Sequence, residues 1–320
     1  MTAYAQHSAG SSLATWGLNA ARAVAVLVLI GVLFGVGSQV GAGGLQSTLV
    51  TGWQPIALAA GCYALGHLFR IVRLALLVGN ARLSLRQLAA VHLFTAGVGL
   101  GTPWRLGDLY RAIELGNITG RITTGFTYVW IERLFDAAFL LPVVAILLAF
   151  ALAGGQADSL SAYGGLIIFT LVFVVVSILL VALLPDNLRR VGTYLIRRHE
   201  ANWTISALRG IDEMRVVMRG IPHHLRGRMG SLAALSLLIW LFEILGFSIV
   251  MPVSQAGMNP VEGLLSFLSQ TTTGGFVPQL TGSASGDVVR YLIASRIPLA
   301  LIAAASAVYY LSASATRPRR

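Results

Sequence analysis

Charge is absent from this chain over long stretches, and no other feature limits its fold so firmly. Residues 137–157 and 164–184 contain none, and an uncharged apolar run of about 20 residues is what a helix needs to cross a bilayer. Only 11% of the 320 residues are charged and 56% are hydrophobic, whereas a soluble domain carries about 25% charged residues. The chain is expected to be an all-α, polytopic integral membrane protein forming one transmembrane unit over residues 1–320.

Six segments are long and apolar enough to cross: Trp16–Gly37, Trp53–Leu74, Thr124–Ala151, Gly164–Leu184, Ser231–Met251 and Val288–Leu311. Trp16–Gly37 is expected to be an uncleaved first span, because no charged residue precedes Arg22 to start a secretory signal. Two further segments, Leu88–Gly120 and Val261–Asp287, are apolar but broken by Gly and Pro. The loops divide by charge. Ser38–Gly52 and Pro252–Pro260 have none, and Ala153–Ala162 has only Asp158. By contrast Asp186–Arg228 holds nine Arg against four acids, Arg70, Arg73, Arg82 and Arg86 form a second basic cluster, and Arg317, Arg319 and Arg320 a third. Short Arg-rich loops stay cytoplasmic, so both termini are expected inside.

Parity then fixes the two broken segments. The chain is inside near Arg86 and outside by Asp158, with one complete span between, so Leu88–Gly120 must enter and leave from inside. It is outside at Pro252–Pro260 and inside at Arg317, again with one span between, so Val261–Asp287 must enter and leave from outside. The expected architecture is six full spans plus two re-entrant hairpins, which a count by hydropathy would give as eight transmembrane segments. Between them, residues 185–230 form a basic cytoplasmic connector. Ile205, Leu208, Ile211, Met214 and Met218 recur there at helical spacing, which suits either an interfacial helix on anionic lipid or a solvated connector.

The broken segments share a pattern. Thr102–Arg111 aligns without gaps to Thr281–Arg290 with the signature T-x4-G-D-x2-R, which suggests an inverted-topology repeat with a binding site where its halves meet near the midplane. Gly101, Pro103, Gly274 and Gly275 supply the turns, and Gly107 and Gly286 are expected to break the chain. Asp108 and Asp287 would then cap the following helices, with Arg111 and Arg290 pairing back to them at i, i+3. Two roles fit these residues: closing helix ends, or gripping a phosphate through Arg105, Arg111 and Arg290, whose planar forks bond two oxygens at once.

Glu132, Arg133 and Asp136 lie within Thr124–Ala151, and Glu243 lies within Ser231–Met251. Each charge at such depth costs about 2.5–3.5 kcal/mol on the insertion scale, so none should face lipid. Glu132 and Asp136 share a helix face, and Arg133 can reach Asp136. They form an internal salt bridge, or they serve a headgroup or a proton relay. Glu243 has no local partner and needs either a proton or an Arg from another helix. His67, Arg70 and Arg73 are expected to snorkel at the interface.

Several chemistries are excluded. All 23 basic residues are Arg, so neither a Walker phosphate loop nor a pyridoxal Schiff base has its Lys. Cys62 is the only cysteine, which rules out an intrachain disulfide and a thiolate metal site, and His223-His224 is poor ligand spacing. No catalytic residue, cofactor or metal is expected. The net charge of +11 is interrupted by apolar helices and points to anionic lipid rather than nucleic acid.

Pro103-Trp-Arg105-Leu-Gly107-Asp108-Leu-Tyr-Arg111, followed by Ile131-Glu132-Arg133-Leu134-Phe-Asp136, resembles the P-x-R-x-G-E-x-x-R and E-R-x-x-D elements of the lysylphosphatidylglycerol synthase transmembrane-region family. The likeness covers about residues 16–311. Asp108 stands where the family usually has Glu, and the later copy lacks part of the family's Pro-Gly-rich run. The resemblance implies the translocating half of the multiple peptide resistance factor without its aminoacyl-transferase half. The expected function is therefore movement of a polar phospholipid or lipid-linked phosphate between leaflets. Arg105, Arg111 and Arg290 would hold the phosphate, supported by Asp108, Asp287, Glu132, Arg133, Asp136 and Glu243. The drive would be the lipid gradient or proton coupling through a buried carboxyl. Alternatives are a membrane-embedded transferase using a lipid-phosphate donor, and a channel. A second copy of the chain and a separate lipid-modifying enzyme are candidate partners.

Overall fold

The computed structural model describes residues 2–39, 53–79, 83–102, 106–155, 158–198, 202–250, 260–273 and 286–315. These residues form ten helices and, among them, no strand: α1 Thr2–Gln39, α2 Trp53–Val78, α3 Leu85–Gly101, α4 Leu106–Thr119, α5 Ile122–Ala153, α6 Asp158–Arg198, α7 Asn202–Leu225, α8 Met229–Val250, α9 Pro260–Thr273 and α10 Gly286–Ala315. Five carry apolar stretches long enough to cross a bilayer, at Trp16–Phe34, Gln54–Val78, Ile122–Ala153, Tyr163–Tyr194 and Met229–Val250. These coincide with five of the six expected spans. The sixth falls on α10, a helix of 30 residues whose apolar part runs Ile297–Ala313.

The first broken segment is a pair of helices. Ser84 opens α3 with a capping box, its hydroxyl accepting from the Gln87 amide while the Gln87 side chain accepts from the Ser84 amide, each at 3.4 Å. At the far end Thr102 closes α3 and serves α4 as well, since its hydroxyl accepts from the Gly107 amide at 3.0 Å. One helix ends at Gly101 and the next begins at Leu106, so Gly107 lies in the first turn of α4. A Cβ there would overlap the Gly99 backbone, so its role is close approach of the two arms. Gly286 is the first residue of α10, and the residues just before it lie outside the described ones. Gly101 ends α3 and faces Val28 and Val32 of α1. Pro103, Gly274 and Gly275 lie outside the described residues.

Small residues also join α4 to α5. A Cβ on Gly125 would overlap the backbone of Ala112 and Gly116, and one on Gly116 would overlap Ile122. This antiparallel packing, turned by Gly120 at φ 80°, carries the start of α4 to Arg133, eleven residues into α5. At about 1.5 Å per residue that is roughly 17 Å along a helix of roughly 48 Å. α3 is covered by α1, α2, α4 and α10, and most of its residues from Leu88 to Leu100 are buried. Its cover includes Ala303 of α10, which meets Gly97. Among the described residues, α2 and α8 share the most extensive packing.

The connector is helical. α6 runs 41 residues, about 61 Å, well beyond the roughly 30 Å of a hydrocarbon core. α7 folds back along its end, setting Leu208 and Ile211 against Gly192 and Arg219 against Asp186 at 3.4 Å. Met218 and Ile221 continue into a cluster with Leu77, Ile131 and Leu232. The apolar stripe of the connector is therefore split: Leu208, Ile211 and Met218 pack on the protein, and Ile205 and Met214 remain exposed.

Gly125→Val should force α4 away from α5 at a cost of about 1–3 kcal/mol. The measurement is the thermal midpoint of tryptophan fluorescence in detergent, which should fall in this variant. Gly165→Ala, at a site with open space around it, should leave the midpoint unchanged or slightly raised.

Candidate functional site

Helix α2 places Arg70 and Arg73 one turn apart, on the side that packs against α5 and α8. Arg73 is only 2% exposed, and its guanidinium donates to Asp136 Oδ1 at 2.6 Å and Oδ2 at 3.3 Å, and to the Ser236 hydroxyl at 2.8 Å. Glu132, one turn earlier on α5 and 1% exposed, lies 3.7 Å from Arg73 and 2.7 Å from Arg111 of α4. Arg133 bridges Asp136 at 3.0 Å and Asp108 at the start of α4. Arg70 donates to Glu243 of α8 at 2.7 Å. Four arginines and four carboxylates from four helices therefore form a polar seam whose formal charges cancel. A buried charge left alone would be far too costly, and each here has an opposite charge in reach.

The seam is not equally closed along its length. Glu132, Arg111, Arg73 and Asp136 are buried, whereas the Arg133 and Asp108 side chains are 28% and 21% exposed. Its open end is at the start of α4.

A second cluster fixes the other side of the hairpin. Glu114 of α4 is wholly buried and accepts from Arg22 of α1 through both oxygens, at 2.8 and 3.0 Å. It also accepts from Tyr110 at 2.9 Å and from Tyr310 of α10 at 2.7 Å. The Arg22 guanidinium lies 5.6 Å from the Tyr310 ring centre. One carboxylate thereby ties α1, α4 and α10 together.

The structure joins Asp108, Arg111, Glu132, Arg133 and Asp136 in one network through Arg73, with the expected Arg133–Asp136 pair at i, i+3, and it pairs Glu243 with Arg70. In the first turn of α4 the Thr102 hydroxyl accepts from the Gly107 amide, and the Asp108 carboxylate is paired with Arg133. Two local expectations are corrected. Arg111 does not pair back to Asp108, because its face of α4 meets Glu132. His67, Arg70 and Arg73 do not snorkel, because α8 and α5 present Glu243 and Asp136 to the two arginines, and His67 is buried against His92. Arg105 lies outside the described residues. Asp287 and Arg290 lie on α10, and their side chains are also outside them. Sequence spacing missed Arg22, Glu114 and Tyr310. The available signal was Glu114 itself, a carboxylate in an apolar segment with Tyr110 one turn away.

A family model described as Lysylphosphatidylglycerol synthase TM region matches residues 22–311, which includes every helix of the seam. No curated protein and no solved structure matches the chain.

Removing one member of a buried pair strands the other. Glu243→Leu is expected to destabilise the protein by about 3 kcal/mol, and Arg70→Met together with Glu243→Leu should recover most of that loss. The SDS concentration at half-unfolding for the two single variants and the double variant measures the coupling.

Proposed function

The chain belongs to the lysylphosphatidylglycerol synthase TM region family, and from that footing we propose that it moves a polar phospholipid or lipid-linked phosphate between the leaflets of a bacterial inner membrane. The observation that carries this is the charge-balanced seam ending at the partly exposed Arg133–Asp108 pair. A bilayer interior offers a zwitterionic or anionic headgroup nothing in place of water. Paired charges in the bundle do, because a phosphate can take over an arginine from its carboxylate, and the released carboxylate can meet a cationic headgroup group. Arg133 exchanges first, being bonded to both Asp108 and Asp136. Arg111 and Arg73 stay locked and hold the field. Arg105 and Arg290 are proposed as further phosphate ligands, on the sequence pattern alone.

In this scheme the α3–α4 hairpin is re-entrant from the cytoplasmic side, with both termini cytoplasmic, and Val261–Asp287 is its inverted counterpart. The start of α4 beside Arg133, about a third of the way along α5, and the burial of α3 among four helices support that placement. Irregular backbone at membrane depth needs such cover.

The test is translocation of fluorescent phosphatidylglycerol in proteoliposomes, read by dithionite quenching. Arg133→Gln is expected to slow it at least about tenfold, a loss of about 1.4 kcal/mol of barrier stabilisation, and Arg290→Ala should also slow it. Rates equal to the unaltered protein in both variants would sink the assigned site. Chemical turnover of a polyprenyl-phosphate sugar by the purified protein would instead favour a transferase.

A further inference from the structure

The seam leaves one question of charge open. With Arg70, Arg73, Arg111 and Arg133 balanced by Asp108, Glu132, Asp136 and Glu243, an anionic headgroup that enters adds one uncompensated negative charge to a region of low dielectric. The carboxylates are poor sources of relief, since each is already held by an arginine.

A different titratable group stands beside them. His67 of α2 and His92 of α3 face each other, His67 Nδ1 to His92 Nε2 at 3.0 Å, and both imidazoles are more than nine-tenths buried. His92 Nδ1 has no hydrogen-bond partner among the described residues. The pair is ringed by charge. Arg70 and Arg73 follow His67 on α2, and Arg111 of α4, with Arg70 and Arg73, acts on His92. Glu243 of α8 approaches Gly66 next to His67, Glu132 and Asp136 of α5 lie behind those arginines, and Tyr63 packs edge-on to His67 at 4.7 Å.

We propose that the His67–His92 pair is a proton site coupled to the headgroup site, taking up one proton when an anionic headgroup enters. This rests on the lipid-translocating role proposed above. Two neutral imidazoles carry two protons on four nitrogens. One proton lies in the shared hydrogen bond, one sits on an outer nitrogen, and the other outer nitrogen keeps a lone pair. A third proton adds to that lone pair and gives an imidazolium. A lone cation buried among other cations is costly while the seam is balanced. It becomes favourable once a phosphate adds a negative charge, and linkage requires the reverse as well: a proton on the pair tightens anion binding by the same factor. Histidine suits the task because its charge changes between about pH 5 and 8.

The test uses the full chain in detergent and short-chain phosphatidylglycerol, titrated calorimetrically at pH 7 in two buffers of different ionisation enthalpy. The unaltered protein should take up about one proton per lipid bound. His92→Gln and His67→Gln keep a side-chain hydrogen bond and should still bind lipid, with uptake falling to less than about one fifth of a proton. Binding without proton uptake in the unaltered protein, or uptake that persists in both variants, would overturn the coupling and leave the lipid site standing. Failure of the unaltered protein to bind the lipid at all would remove the translocation role and the coupling with it.

Discussion

The Arg73–Asp136 ion pair is the interaction on which the interior depends. Its two residues come from α2 and α5, and Ser236 of α8 adds a third helix through its hydroxyl. With Arg73 nearly inaccessible, the pair cannot be replaced by water, so the helices are held in register by the need to keep it closed. Glu132 with Arg111, and Arg133 with Asp108, extend the same requirement to α4. A bundle of apolar helices in lipid has no strong hydrophobic reason to choose one arrangement over another. Internal charges supply that choice, because a helix rotated away from its partner leaves a guanidinium or carboxylate facing hydrocarbon.

Much of this was legible in the sequence. Spans followed from hydropathy and length, and the broken segment Leu88–Gly120 appears as two helices, α3 ending at Gly101 and α4 beginning at Leu106. Glu132, Arg133, Asp136 and Glu243 drew notice because charge within an apolar run must have a partner. Which partner was not legible. Arg73 and Asp136 are 63 residues apart, Arg22 and Glu114 are 92, and Arg70 and Glu243 are 173, whereas helical spacing only relates neighbours within about one turn. The same limit assigned Arg111 to Asp108 when a neighbouring helix offered Glu132.

The arginines of α2 show how end position misleads. Arg70 and Arg73 sit within eight residues of the end of a spanning helix, where long cationic side chains commonly reach out to headgroups. What decides their direction is whether a carboxylate waits inside. Here Glu243 and Asp136 do, so the side chains turn inward and their charge becomes part of the bundle. Absence of Lys fits this interior, since a guanidinium can bond two carboxylates from its planar fork, as Arg133 does, and an ammonium cannot match that geometry.

The glycine contacts between α4 and α5 have a mechanical result. Backbones in van der Waals touch at Gly116 and Gly125 leave no side chain to rotate out of the way, and a slip by one residue would drive a larger group into the same gap. The second arm of the hairpin and the long helix behind it therefore travel as one girder. Any rearrangement that separates α5 from α2 and α8 would carry that girder as a unit, breaking salt links across the divide while the glycine contacts stay intact.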